Sequence, residues 1–202
     1  MKKILYLHGF SSAGSTGTAT NLRNHLFADY GVSVISPDIP VSPAQAVPYI
    51  RQVVAAEQPD LIIGTSMGAM YTELLKGYKR ICVNPSFCMA RLLTFKHLGK
   101  NVKFQNPRAN GETQFKVDKK MVAEFKEIET KLTFKGITPE DKELIWGVFG
   151  KDDPTVNCRE EFCKAYGQEH FMVIEGEHSL TDAMVKRDLL PLIKQLLDLE
   201  QS

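Results

Sequence analysis

Leu61-Ile62-Ile63-Gly64-Thr65-Ser66-Met67-Gly68 runs an apolar triplet directly into a G-x-S-x-G pentapeptide, and residues 69–75 continue in a helical pattern. The triplet reads as a buried strand, so the pentapeptide falls on a strand-to-helix turn. Glycines on both sides of such a turn let the strand and helix backbones meet closely. The serine between them is held at the top of the turn with its hydroxyl clear of the sheet. Small residues also fill ordinary strand-to-helix turns, so the pentapeptide alone does not separate a nucleophilic serine from a plain connection.

Outward from this turn, short apolar runs alternate with amphipathic stretches. Strands are expected at 4–7, 32–36, 80–83, 144–149 and 171–174. Between them, a helix over 18–27 carries Leu22 and Leu26 on one face, and a helix to residue 57 is buried through Val47, Ile50, Val53 and Val54. That second helix opens on Ser42-Pro43-Ala44-Gln45, which reads as a capping box with proline at the first helical position. A helix over 159–166 and a closing amphipathic helix over 184–199 complete the pattern. Alternation of this kind predicts an α/β fold with a mostly parallel central sheet flanked by helices. At 202 residues the chain is expected to form one domain, 1–202.

The rhythm fails between residues 86 and 142, apart from a helix over 119–131 with Asp118 as its N-cap. A long excursion inside a compact domain is usually functional, so 86–142 is expected to be a cap or lid inserted in the domain. It holds twelve Lys/Arg against seven Asp/Glu. Phe87, Leu92, Leu93, Phe95, Leu98 and Phe104 are interleaved there with Arg91, Lys96, Lys100 and Lys103. The apolar set would either cover an acyl chain or anchor the cap. The cations would either attract an anionic leaving group or be solvated.

Composition narrows the classes of function. A formal net charge of +1 gives no reason to expect nucleic acid. No apolar run reaches membrane-spanning length, and His8-Gly9 cuts short the apolar start well before a signal-peptide core could form. A cytoplasmic protein is expected. Cys82, Cys88, Cys158 and Cys163 show no C-x-x-C spacing, so they read as free thiols rather than zinc ligands. Gly14 and Gly17 lack the lysine and spacing of a phosphate loop. No metal and no organic cofactor is implied.

A serine hydroxyl needs a base within hydrogen-bond reach, and the base needs an acid to fix its tautomer. In an α/β-hydrolase sheet the three arrive in the order serine, acid, histidine, each after a strand end. Here the strand at 144–149 is followed by Gly150-Lys151-Asp152-Asp153-Pro154-Thr155-Val156, and the strand at 171–174 by Glu175-Gly176-Glu177-His178. The candidate catalytic residues are therefore Ser66, Asp153 and His178. Asp153 fits a G-x-x-D-x-x-V pattern and is preferred, with Asp152 its competitor. His25, His97 and His170 lack the placement of His178 and read as surface or packing residues. An oxyanion hole needs two inward N–H groups: Met67, after the nucleophile, supplies one, and Phe10, in the loop after the first strand, supplies the other. His8 reads as shaping that loop by hydrogen bonds, with Gly9 permitting its turn. Gly9, Gly64 and Gly68 are the motif glycines.

Tyr6-Leu7-His8-Gly9-Phe10-Ser11-Ser12, Gly64-Thr65-Ser66-Met67-Gly68, Val83-Asn84-Pro85 and Gly176-Glu177-His178 together resemble the small YqiA-like esterases of the α/β-hydrolase superfamily. The resemblance extends over nearly the whole chain, including Asn106-Pro107 and Gly111-Glu112-Thr113 in the cap. It implies an α/β-hydrolase fold and a serine hydrolase acting on a small-molecule acyl ester or thioester, with Ser66, Asp153 and His178 at the family's triad positions. One departure is the acid loop, Lys-Asp-Asp-Pro here, where the family often has a single aspartate followed by Glu and an aliphatic residue. The same triad could instead serve an acyltransferase or a C–C hydrolase, and a non-catalytic binding protein could retain the fold. Acyl length, leaving group and oligomeric state are not legible in the chain.

Overall fold

The computed structural model describes residues 1–199; the final three residues of the expected 1–202 unit lie outside them. Six strands, β1 (Lys3–Leu7), β2 (Ser33–Ile35), β3 (Leu61–Thr65), β4 (Arg80–Val83), β7 (Ile145–Gly150) and β8 (Phe171–Ile174), form one sheet in the order β2-β1-β3-β4-β7-β8. Every pairing in it is parallel. A parallel sheet is covered on both faces, which is why its strands read as continuous apolar runs rather than as alternation. Alternate residues serve opposite faces: Leu5, Leu7 and Ile62 pack on one side, and Ile4, Tyr6, Leu61 and Ile63 on the other. The first face is covered by α2 (Pro43–Glu57), α3 (Met67–Glu73), α5 (Lys119–Lys131) and α7 (Arg159–Tyr166). The second is covered by α1 (Gly17–Tyr30) and the C-terminal helical segment. Among the described residues, no helix is long and apolar enough to cross a membrane.

Three local expectations are corrected. The Ser42 capping box does not form: Ser42 donates its hydroxyl to Glu124 Oε2 at 2.8 Å, and the Ala44 N–H reaches the same oxygen at 3.3 Å. A carboxylate from α5 thus caps α2 in trans. An anion at the positive end of the helix macrodipole outcompetes a neutral local hydroxyl. The excursion between β4 and β7 is also more ordered than its sequence suggests. It contains α4 (Met89–Lys96), a hairpin of β5 (Asn101–Lys103) and β6 (Gln114–Lys116), α5, and α6 (Pro139–Glu143). Three-residue strands are too short to show a period of two, and α4 offers barely two turns of apolar spacing. Finally, the closing helix is not continuous. It runs as α8 (Asp182–Met184), a π-helical turn (Val185–Leu189) and α9 (Leu190–Leu197). Pro191 has no N–H for the Arg187 carbonyl, so the i→i−4 ladder fails there and the turn widens.

At the N-terminal end of the sheet lies a buried ionic cluster. Arg80, the first residue of β4, is fully buried and donates to Asp141 Oδ1, to the Glu73 carbonyl at 2.7 Å and to the Tyr78 carbonyl at 3.1 Å. Asp141 ties the exit of the 86–142 excursion to this strand. Asp141→Ala leaves the guanidinium buried without its counter-charge and is expected to cost roughly 3–5 kcal/mol of folding stability by urea titration. A loss below about 1 kcal/mol would show the pair to be dispensable.

Candidate active site

The β3–α3 turn places Ser66 in a rarely populated conformation, φ 55° and ψ −118°. Its backbone is held on both sides: the Ser66 N–H donates to Val83 O at 2.9 Å, and Ser66 O accepts from the Ser86 N–H at 3.1 Å. The flanking glycines are sterically required. A Cβ at Gly64 would lie 2.3 Å from Thr72 Oγ1 and 2.4 Å from Gly68 O, and one at Gly68 would lie 2.0 Å from Leu7 O. These contacts bring α3 against β1 and β3 and leave the Ser66 hydroxyl at the C-terminal edge of the sheet.

Ser66 Oγ lies 2.9 Å from His178 Nε2, and His178 Nδ1 lies 2.7 Å from Asp153 Oδ2. A carboxylate can only accept, so Nδ1 carries the proton and Nε2 is free to accept from the serine hydroxyl. Asp153 has its side chain only 4% exposed. Its other oxygen accepts from the Thr155 N–H at 2.7 Å and the Val156 N–H at 3.1 Å, which fixes the carboxylate plane. Asp152 is exposed, and its part in the loop is a backbone bond to Gly176 O at 3.1 Å. The geometry brings Asp153, not Asp152, to the imidazole.

Met67 follows Ser66 and Phe10 lines the same cleft, and neither N–H donates to a protein acceptor among the described residues. The turn after β1 differs from expectation in one respect. Its left-handed residue is Ser11, φ 56°, not Gly9. Gly9 instead lies beside Ser66: a Cβ there would lie 3.4 Å from Ser66 Cβ and 4.0 Å from Oγ, in ordinary van der Waals contact.

His8 is 2% exposed and occupied on both nitrogens. Nδ1 donates to Gly9 O at 2.9 Å, and Nε2 accepts from the Ile39 N–H at 3.0 Å. Only the neutral ring satisfies both bonds, and burial pushes its pKa down to about 4. The unfolded chain binds this proton below about pH 6.5 and the folded protein only below about 4, so the unfolded state holds more protons between those values. Stability contributed by neutral His8 is therefore complete above pH 6.5 and lost as pH falls toward 4, to an extent of about 3 kcal/mol. Unfolding titrations from pH 7 to 4 should show this decline in the wild type. His8→Gln should lack that component; an unchanged pH slope would exclude His8 as its source.

The Ser66 cleft has a volume of about 520 Å³. Its lining includes polar residues from the start of α1, Thr16, Thr18 and Asn21, and apolar residues from α4, Met89, Leu92 and Leu93. His97, read from sequence as a surface or packing residue, lines this cleft and packs on Phe10 with ring centroids 5.7 Å apart. Lys96 is at the rim, whereas Lys100 bonds to the Lys96 carbonyl and Lys103 is exposed on the hairpin, both outside the cleft lining. His25 pairs with Asp182, and His170 stacks on Trp146, both away from Ser66. A larger cavity of about 620 Å³ beside α2 and α5 carries Asp38, Arg108, Glu112, Asp118, Lys120 and Glu124, with no serine, threonine or cysteine paired to a histidine.

The family model of an uncharacterised protein family, UPF0227, matches residues 3–197. The chain belongs to that family. It is the YqiA-like family that the four sequence motifs resemble. Solved structures share the fold at low identity. Est1E from Butyrivibrio proteoclasticus matches with a TM-score of 0.66 at 15% identity, over 98% of this chain and 88% of that one. A monoacylglycerol lipase from Paleococcus ferrophilus matches at 0.62 and 13% identity, over 97% and 94%. Mouse alpha/beta hydrolase domain-containing protein 10 matches at 0.62 and 12% identity, over 97% and 89%. The α/β-hydrolase fold is thereby shown.

Sequence reading named Leu92 and Leu93 but not the helix α4 that carries them, and it passed over His97 in the lining and Asn84. The last was quoted only within a motif; its buried side chain reaches both the acid and histidine loops.

Proposed function

We propose that this chain is a serine hydrolase that cleaves carboxylic ester or thioester bonds. The observation that carries the reading is the unbroken line Ser66 Oγ–His178 Nε2–His178 Nδ1–Asp153 Oδ2, with distances of 2.9 Å and 2.7 Å. Ser66 Oγ attacks the acyl carbon as its proton passes to His178 Nε2. Asp153 holds the imidazole in the required tautomer and stabilises the imidazolium. The carbonyl oxygen, now an oxyanion, takes hydrogen bonds from the Phe10 and Met67 N–H groups, which have no protein partner among the described residues to give up. Collapse breaks the bond to the leaving group, whose oxygen or sulfur takes the proton from Nε2. Water then enters, gives a proton to Nε2 and attacks the acyl-enzyme. Its collapse releases the acid and returns the proton to Ser66.

The strained turn at Ser66 supports this reading, because its φ of 55° is carried by a residue with a side chain rather than by either flanking glycine. Residues 86–142 act as a cap, with the acyl group against Met89, Leu92 and Leu93 of α4. Mixing the enzyme with an aryl ester or an acyl thioester in stopped flow should release about one equivalent of leaving group per enzyme before steady turnover, wherever deacylation is the slower step. A panel of acyl lengths giving neither burst nor turnover would contradict the proposal.

A further inference from the structure

Asn84 follows β4 and is 3% exposed, with a left-handed backbone at φ 43° immediately before Pro85. Its side chain uses both ends. Nδ2 donates to the main-chain carbonyls of Glu177 at 3.1 Å and His178 at 2.9 Å, and Oδ1 accepts from the Gly150 N–H at 2.6 Å. Gly150 opens the acid loop, and Glu177-His178 ends the histidine loop. The two loops pass so closely that a Cβ on Gly150 would lie 2.6 Å from Glu177 O. The backbone around Asn84 holds the third partner: Val83 O and the Ser86 N–H bracket Ser66, while the Asn84 N–H donates to Val148 O at 2.8 Å.

We propose that Asn84 is the positioning residue of the triad, a single side chain that sets the separation of the acid and histidine loops and so the Asp153–His178 contact. This rests on the catalytic reading of Ser66, Asp153 and His178 above. The residue type follows from three demands made together. A positive φ is adopted most readily by Asn, Asp and Gly. Two carbonyls require a donor, which Asp at neutral pH lacks; one N–H requires an acceptor, which Gly lacks. Asn meets all three.

The test compares Asn84→Gly, which keeps the backbone and removes the clamp, with Asn84→Asp, which keeps the acceptor and turns a carboxylate oxygen on two carbonyls. Val54→Ala, a core change in α2 far from the loops, serves as the control for lost stability. The first readout needs no substrate: the strongly downfield proton resonance of the His178 Nδ1–H shared with Asp153. It should be present in the wild type and in Val54→Ala, and broadened away in both Asn84 variants. The second is steady-state kinetics on an aryl ester. Both Asn84 variants should lose on the order of 10²-fold in kcat with KM changed by less than about threefold, as for a misplaced catalytic group. Should Asn84→Gly prove too unstable to study, Asn84→Asp carries the comparison. Variants that keep the resonance and kcat while losing only melting temperature, as Val54→Ala does, would overturn the proposal. If the wild type turned over no ester yet its resonance vanished in the Asn84 variants, the clamp would stand and the esterase reading would fall.

Discussion

Ser66→Ala is expected to lower kcat for ester hydrolysis by about 10⁴–10⁶-fold while leaving the fold in place. The size of the loss follows from what remains. The Phe10 and Met67 N–H groups can still polarise a bound carbonyl, but there is no longer a nucleophile aligned with His178. Residual turnover would come from water alone. The fold should survive because both residues carry a Cβ, so the cost of φ 55° at this position is already met in the wild type. The Ser66 hydroxyl has His178 as its partner and supports no packing. Circular dichroism and the urea midpoint should match the wild type within error. A well-folded Ser66→Ala protein with near-normal turnover would remove the serine from the mechanism.

The second large effect separates two adjacent carboxylates. Asp153→Asn replaces an oxygen that can only accept with an amide that can present N–H₂ to His178. If that donor faces Nδ1, the ring is driven to the other tautomer, Nε2 carries the proton and Ser66 has no base. The expected loss in kcat is about 10²–10⁴-fold. The exposed Asp152 is bonded through its backbone N–H, to Gly176 O of the histidine loop, which Asp152→Asn keeps, so the change should alter kcat by less than about threefold. Kinetics on the two purified variants, with the same ester, decide the matter. The reverse order of effects would transfer the acid role to Asp152.

Much of this arrangement was legible because each piece has a local physical signature. Leu61-Ile62-Ile63 before Gly64-Thr65-Ser66-Met67-Gly68 needs only strand length and glycine sterics to be read, and the structure shows why: Cβ atoms at either flanking glycine would overlap backbone or a buried threonine. β4, α5, α7 and β8 fall where apolar spacing and the Asp118 cap put them. What escaped reading depends on distant partners. Glu124 takes the α2 N-terminus from Ser42 across 82 positions of sequence, a capping choice that no local window contains. The β5–β6 hairpin has strands of three residues, too short for a pattern. Asn84 looks like a plain turn residue beside proline. Its function comes from carbonyls 93 and 94 residues away, which only the closed sheet brings near. Gly9 carries the opposite lesson, since the left-handed φ expected of it falls on Ser11 instead.

The most direct measurement of the central claim is covalent labelling by a fluorophosphonate. The probe reacts only where a serine oxygen, relieved of its proton by a base, attacks phosphorus and expels fluoride. Intact-protein mass should rise by one phosphonyl group, and peptide mapping should place it on the fragment holding Ser66. Ser66→Ala should take up none, and Asp153→Asn should label far more slowly than the wild type. A folded wild-type protein that stays unlabelled at a probe excess sufficient for a control serine hydrolase, or one labelled at a residue other than Ser66, would contradict the proposed nucleophile.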